Sequence, residues 1–314
     1  MTIRTYWQLD PAAEHSRSEP ADRPRWQPVL RDVRTAALNR YDHYAQIARA
    51  AAITGFDGLF IPHREQSDDS QIIAAAIARG TPKLTLIPEF AASVGSAVYA
   101  AKEAVSFQRL AHHRLAWAIA PDADAATRAR GGDHVAQEDL TARTEEFLKI
   151  ARGVHGERPF SFKGRFFEVE KGGFEEPLSK APFPQVFLRG TSEEVLTLSA
   201  RQADVHLFEA APIDELRHAI EALDRLALKE GRTVEFGILQ PIIARETEEE
   251  AGESAGPGIA GDYDRVAARL AELASLGISH FVLTATPSFE EVYRIGQFIL
   301  PRFRELTEPA RAAA

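Results

Sequence analysis

Residues 185–209 read QVFLRGTSEEVLTLSARQADVHLFE. The apolar, β-favouring run Gln185 to Arg189 ends at Gly190, which suits a tight turn, and Thr191 or Ser192 is placed to cap a helix carrying Glu193 and Glu194. A second strand follows from Asp204 to Glu209. Strand, turn, helix, strand is the repeating unit of a parallel sheet, because parallel neighbours require a crossover connection.

The same unit recurs on both sides of this stretch. Strands are expected at Thr2 to Leu9, Asp57 to Pro62, Lys83 to Phe90, Arg114 to Ala120, Gln185 to Arg189, Asp204 to Glu209, Glu235 to Ala244 and His280 to Thr284. Helices fit Tyr41 to Ile53, which stops at Gly55, Ser70 to Arg79, opened by Asp68 and Asp69, Val98 to Ala111, and Glu138 to Arg152. Eight strand–helix units predict an α/β chain folded as a closed (β/α)8 TIM barrel, with a doubly wound open sheet as the competing architecture. The organisation expected is one barrel domain over 1–314, with loop insertions near 10–40, 155–182 and 246–262. Within the second insertion, FSFKGRFFEVE resembles a hairpin turning at Lys163 and Gly164. In a barrel the first and third insertions follow strands and fall on the C-terminal face, where active sites are built.

Composition narrows the function. The chain has 314 residues, 45% hydrophobic and 26% charged, and 37 basic against 46 acidic side chains give a net charge of −9. That excludes a disordered or collagen-like chain, and the acidic balance argues against nucleic-acid binding. A mean hydropathy of −0.24 with no long apolar run leaves no candidate membrane span, and MTIRTYWQLD does not read as a signal peptide. The absence of cysteine removes disulfides, thiolate metal sites and cysteine nucleophiles, which fits a cytoplasmic location.

The ends of the expected strands supply Trp7 and Gln8, His63 and Arg64, Glu89 and Phe90, Trp117 and Asp122, Arg189 to Ser192, Glu209, Gln240, and Thr284 to Thr286. Aromatic and hydrogen-bonding groups dominate this set, as suits a pocket for a planar organic ligand. Metal ligands do not cluster in it, which disfavours a metal-dependent barrel hydrolase. Alternation puts His206 beside Phe208 as a packed or surface residue, and His112 and His113 belong to the turn before the fourth strand. The amides and hydroxyls of Gly190, Thr191 and Ser192 could hold a phosphate at a helix N-terminus, although a plain N-cap explains the same residues more simply. No GxGxxG, Walker A or GxSxG motif is present.

TYWQLDP at the start, GFDGLFIP, FLRGTSEEVLTLSARQAD, GILQPIIARETEEEA and SLGISHFVLTATPSFEEVYRIGQFILPRF together resemble the bacterial luciferase-like flavin enzymes, nearest to the alkanesulfonate monooxygenase branch. The resemblance implies a two-component monooxygenase. It would take FMN, as FMNH2, from an NAD(P)H-dependent flavin reductase and use O2 to oxidise a small organic substrate, an organosulfur compound among the options. It implies a homodimer or homotetramer. By motif position, Gly190, Thr191 and Ser192 correspond to the family's phosphate turn, and Trp7 would line the ring pocket. Glu89 and Arg64 are then the catalytic candidates, and His63, Trp117 and Gln240 the substrate-binding ones.

The departures from the family pattern matter as much. Ser67 stands where sulfonate monooxygenases often carry Cys, and Leu239 and Pro241 replace an Arg and a His. Thr286 replaces a Tyr, and Leu140 and Thr141 an Arg–Tyr pair. These changes remove cationic and acid–base groups, leaving Arg64 or Arg189 to meet any sulfonate. The alternatives are a deazaflavin-dependent oxidoreductase and a flavin-binding relative without monooxygenase activity.

Overall fold

A computed structural model describes residues 2–12, 40–93, 95–121, 123–252 and 256–307. Most of the insertion expected near 10–40, Asp122, and the middle of the insertion at 246–262 lie outside these residues.

The strands are β1 (Arg4–Gln8), β2 (Gly58–Ile61), β3 (Thr85–Phe90), β4 (Ala116–Ile119), β5 (Phe160–Lys163), β6 (Glu168–Gly172), β7 (Gln185–Arg189), β8 (Val205–Glu209), β9 (Glu235–Arg245), β10 (Ile259–Asp262) and β11 (Ile278–Thr284). The helices are α1 (Arg40–Ile53), α2 (Ser70–Ala78), α3 (Ala97–Leu110), α4 (Ala125–Arg130), α5 (Leu140–Gly156), α6 (Glu193–Gln202), α7 (Ile213–Lys229), α8 (Glu248–Ala251), α9 (Tyr263–Ser275), α10 (Ser288–Arg294) and α11 (Leu300–Thr307). The fold is the (β/α)8 barrel, with every expected strand present. Two compact units divide it, residues 1–86 with 239–314, and residues 87–238.

In the first unit the strand order is β10-β9-β11-β1-β2, and β1 pairs in parallel with both β11 and β2. Thr5, Tyr6 and Trp7 in the middle of β1 are all buried although they alternate faces, so the strand shows no inside–outside alternation there. The Tyr6 ring stacks on His280 and its hydroxyl lies 2.9 Å from His280 Nδ1. Trp7 points the other way, meeting Phe56 edge-on at 5.5 Å. Gly58 is required by close approach: a Cβ there would collide with the Thr85 carbonyl and sit 2.9 Å from Tyr6 Cδ1. The 246–262 segment holds more structure than expected, since β10 adds in parallel to the end of β9.

In the second unit β3-β4-β7-β8 run parallel in that order. Trp117 is wedged edge-on between Phe90 and Phe183, each at 5.2 Å, and also meets Phe147 of α5. The expected hairpin is present as antiparallel β5 and β6, with its turn over Gly164 to Phe167, slightly later than Lys163 and Gly164 suggest. A single carboxylate holds the turn: Glu146 of α5 accepts from the backbone amides of Arg165, Phe166 and Phe167 at 2.8, 2.9 and 3.2 Å. His112 and His113 lie in the turn before β4, as expected, and both have positive φ.

Candidate functional site

The β7–α6 turn is built as the sequence suggests. Gly190 has φ +143°, and a Cβ there would lie 2.9 Å from Val195 Cγ1, so backbone conformation and helix packing both demand glycine. Ser192 is the N-cap, its Oγ accepting from the Val195 amide at 3.3 Å. Thr191 and Ser192 are exposed. The opening amides of a helix have no intrahelical acceptor, so the turn offers backbone donors, two hydroxyls and the positive end of a ten-residue helix dipole. That donor set fits a phosphate group.

Arg189, the residue before this turn, joins the ends of three strands. Its Nε and Nη2 donate to Glu89 Oε1 and Oε2 at 2.6 and 3.3 Å, and its Nη1 donates to Glu209 Oε1 at 2.9 Å. The Glu89 side chain is 1% exposed, Arg189 21% and Glu209 52%. Burial acts to lower the Arg189 pKa, but the hydrogen bonds and charges of the two carboxylates outweigh it and raise it above the ordinary arginine value. Glu89 thus has both oxygens committed to a guanidinium, which makes it an anchor for Arg189 rather than a carboxylate positioned for proton transfer. Sequence reasoning singled out all three residues without seeing that they meet.

In the other unit, Arg64 makes a fork with Asp10: Nε lies 3.2 Å from both carboxylate oxygens and Nη2 2.5 Å from Oδ2. Its Nη1 turns back to the His63 carbonyl at 3.3 Å, and His63 is half-buried. Gln240 is buried and its amide donates to the carbonyls of Pro241 and Pro257 at 3.0 and 3.4 Å. Beyond it on β9, Arg245 pairs at 3.1 Å with the buried Glu291, which also pairs with Arg294.

Neither indole expected at a strand end presents surface to a ligand. Trp7 is fully buried and its Nε1 donates to Ser288 Oγ at 3.0 Å. Trp117 is equally buried, with Nε1 unpartnered. His206 is packed, as alternation suggests: its Nδ1 lies 2.8 Å from Ser199 Oγ on α6 and its ring meets Phe208 at 4.6 Å. Burial pushes its pKa down to about 4, so the imidazole is neutral. Among the described residues no group of three or more metal-ligating side chains converges, and no helix is long and apolar enough to cross a membrane. The partners Asp10, Ser288 and Glu291 left no mark that sequence reasoning could use, because each is defined only by what the fold sets beside it.

A sequence model of the luciferase-like monooxygenases matches residues 25–280. Among solved structures, a riboflavin lyase (RcaE), solved with modified FMN and its substrate riboflavin, is 16% identical, covers 97% of this chain and 92% of its own, and superposes with a TM-score of 0.79. EDTA monooxygenase (EmoA) from Chelativorans sp. BNC1 is 17% identical over 98% of each chain, with a TM-score of 0.76. The coenzyme F420-dependent tetrahydromethanopterin reductase from Methanopyrus kandleri is 13% identical over 96% of this chain and 100% of its own, with a TM-score of 0.75. The fold is common to all three, and the similarity does not single out an alkanesulfonate branch.

Proposed function

The chain belongs to the luciferase-like monooxygenase family, and on that premise we propose that it is a two-component monooxygenase using FMNH2 from an NAD(P)H-dependent reductase. The observation that carries this reading is the β7–α6 turn. A glycine whose positive φ and close approach to Val195 disfavour any side chain leads into exposed Thr191 and Ser192 hydroxyls at a helix N-terminus. These three residues would hold the FMN phosphate, through amides, hydroxyls and helix dipole. When bound, reduced FMN supplies two electrons that let one atom of O2 enter the substrate while the other leaves as water.

The protein's own contribution is to bind, orient and exclude water. Trp7 and Trp117 back their strands from within the packed layer, so their part in the site is support rather than ligand contact. Glu89 fixes Arg189 beside the phosphate turn, and Asp10 fixes Arg64. His63 and Gln240 are the polar side chains assigned to the substrate side, Gln240 through a change of its present carbonyl partners. The assembly proposed is a homodimer or homotetramer, in the cytoplasm.

The test is direct. Reduced FMN should bind more tightly than oxidised FMN, and the double variant Thr191→Ala, Ser192→Ala should weaken FMN binding while sparing riboflavin, which lacks the phosphate. Unchanged FMN affinity in that variant rejects the phosphate assignment. Turnover with reductase, NAD(P)H and 18-oxygen gas, followed by mass spectrometry across sulfones, sulfonates, amines and heterocycles, identifies the product. A second reading, hydride transfer with a deazaflavin, rests on the full-length likeness to an F420-dependent reductase. Side-by-side titration with F420 and FMN separates the two.

A further inference from the structure

His206 on β8 is wholly buried, an expensive place for an imidazole, and it has no role in the cofactor reading. It pairs with Leu188 of β7 in the parallel ladder, and Gly190, two residues beyond Leu188, falls on the same face. The ring therefore lies beneath the β7–α6 turn. Ser199 of α6 walls it on the helix side, its Oγ 2.8 Å from Nδ1, and Phe208 walls it along the strand. Nε2 is also buried, and it meets no acceptor in hydrogen-bonding geometry. The backbone of Gly190 nevertheless acts on the ring, favouring the protonated form against the burial that opposes it. A carbonyl has that effect and an amide N–H the reverse, so Gly190 turns its oxygen toward the imidazole.

We propose that His206 is a positioning residue for the β7–α6 turn: its Nε2–H faces the Gly190 carbonyl from within and so points the Thr191 N–H outward, to a bound phosphate. This deepens the FMN reading and rests on it for the identity of the anion. The link is a single peptide group. The Gly190 C=O and the Thr191 N–H belong to one planar trans unit, in which the two bonds point in opposite directions. A donor beneath the oxygen turns the N–H to the far side, where Thr191 and Ser192 are exposed. That N–H precedes the N-cap, so α6 supplies no acceptor for it. An anion drawing the N–H outward would press the carbonyl onto Nε2 and bring the loose contact into line, each bond polarising the other. Glycine at 190, with φ +143°, permits that tilt. Ser199 sets the tautomer: by donating its hydroxyl to Nδ1 it leaves the proton on Nε2. The buried ring stays neutral, and acts through direction rather than charge.

Selective 15N-histidine labelling of the intact protein reads the tautomer, because a protonated ring nitrogen and a bare one have well-separated shifts. The signals missing from His206→Gln belong to His206. The expected form is Nε2–H, and Nδ1–H in the wild type overturns the proposal whatever binds at the turn. The Thr191 amide 15N shift senses hydrogen bonding to the carbonyl of its own peptide group. It should move in His206→Phe and return toward the wild-type value in His206→Gln, whose amide can donate from a similar position. FMN and riboflavin are then titrated side by side. His206→Phe should weaken FMN binding about fivefold and leave riboflavin unchanged, and His206→Gln should recover FMN to within about twofold of the wild type. Equal losses for the two ligands, or no recovery with Gln, assign His206 to packing alone and overturn the proposal. So does a Thr191 shift indifferent to both substitutions. A wild type that binds FMN and riboflavin equally counts against the phosphate assignment, while the tautomer and the Thr191 shift still decide this one.

Discussion

Arg189 and Glu89, one hundred residues apart in the chain, are joined by two parallel charge-assisted hydrogen bonds at 2.6 and 3.3 Å. This geometry is rigid, since a planar fork meets a planar carboxylate. It positions the residue directly before the β7–α6 turn.

Breaking the fork should be expensive. Glu89→Gln leaves Arg189 with the half-exposed Glu209 alone, and we expect a loss of about 2–4 kcal/mol in urea unfolding, tempered by Arg189's partial exposure. Removing both charges with Glu89→Gln and Arg189→Met should recover part of that loss. A double variant as unstable as the sum of the singles would show that the pair is not coupled.

His206 supplies a pH dependence. Its folded pKa, about 4, lies below the unfolded value near 6.5, so the unfolded chain binds the proton first. Its contribution is full above about pH 6.5 and is lost as pH falls toward 4, a total of about 3 kcal/mol. Urea midpoints at pH 7.5 and 4.5 measure it. In His206→Gln this part of the slope should vanish; an unaltered slope would remove His206 from the account.

Gly190→Ala tests the turn. The added methyl meets Val195 Cγ1 and the backbone must hold a φ unsuited to alanine, so stability should fall by about 1–2 kcal/mol. If the turn holds the FMN phosphate as proposed, FMN affinity should drop about tenfold with riboflavin affinity held, because the turn's donors move together. Isothermal titration with both ligands checks this.

The two buried indoles should respond differently to loss of hydrogen bonding. Ser288→Ala strands the Trp7 N–H and should cost about 1–3 kcal/mol. Trp117 has no partner for its N–H, so Trp117→Phe should lose only packing, about 1–2 kcal/mol, while Trp7→Phe should also strand Ser288 and cost more. Thermal melts of the three variants rank them.

The strand–helix alternation was legible because glycines and caps punctuate it: Gly55 and Gly190 carry positive φ, and Asp69 and Ser192 cap their helices. The site was legible only in part. A strand buried on both faces gives no sign of which face meets the helices, so Trp7 and Trp117 read as pocket residues when they are packed away. Arg189 and Glu209 were visible as strand-end residues, but their meeting with Glu89 depends on strands β3, β7 and β8 reaching the same level, which no local pattern records. Strand β10 was hidden by the glycine-rich composition around Ile259 to Asp262.

The hairpin between α5 and β7 is clipped to its helix by one side chain, Glu146, through three consecutive amides. Those three contacts are made by main chain, while the seat also fixes two side-chain positions: a Cβ at Gly164 would collide with the Glu146 carboxylate, and the Phe167 ring packs on Phe147. Exchange is therefore open at Phe166, which Glu146 holds only by its amide, and closed at Gly164 and Phe167, where the tip and its helix share one packing surface.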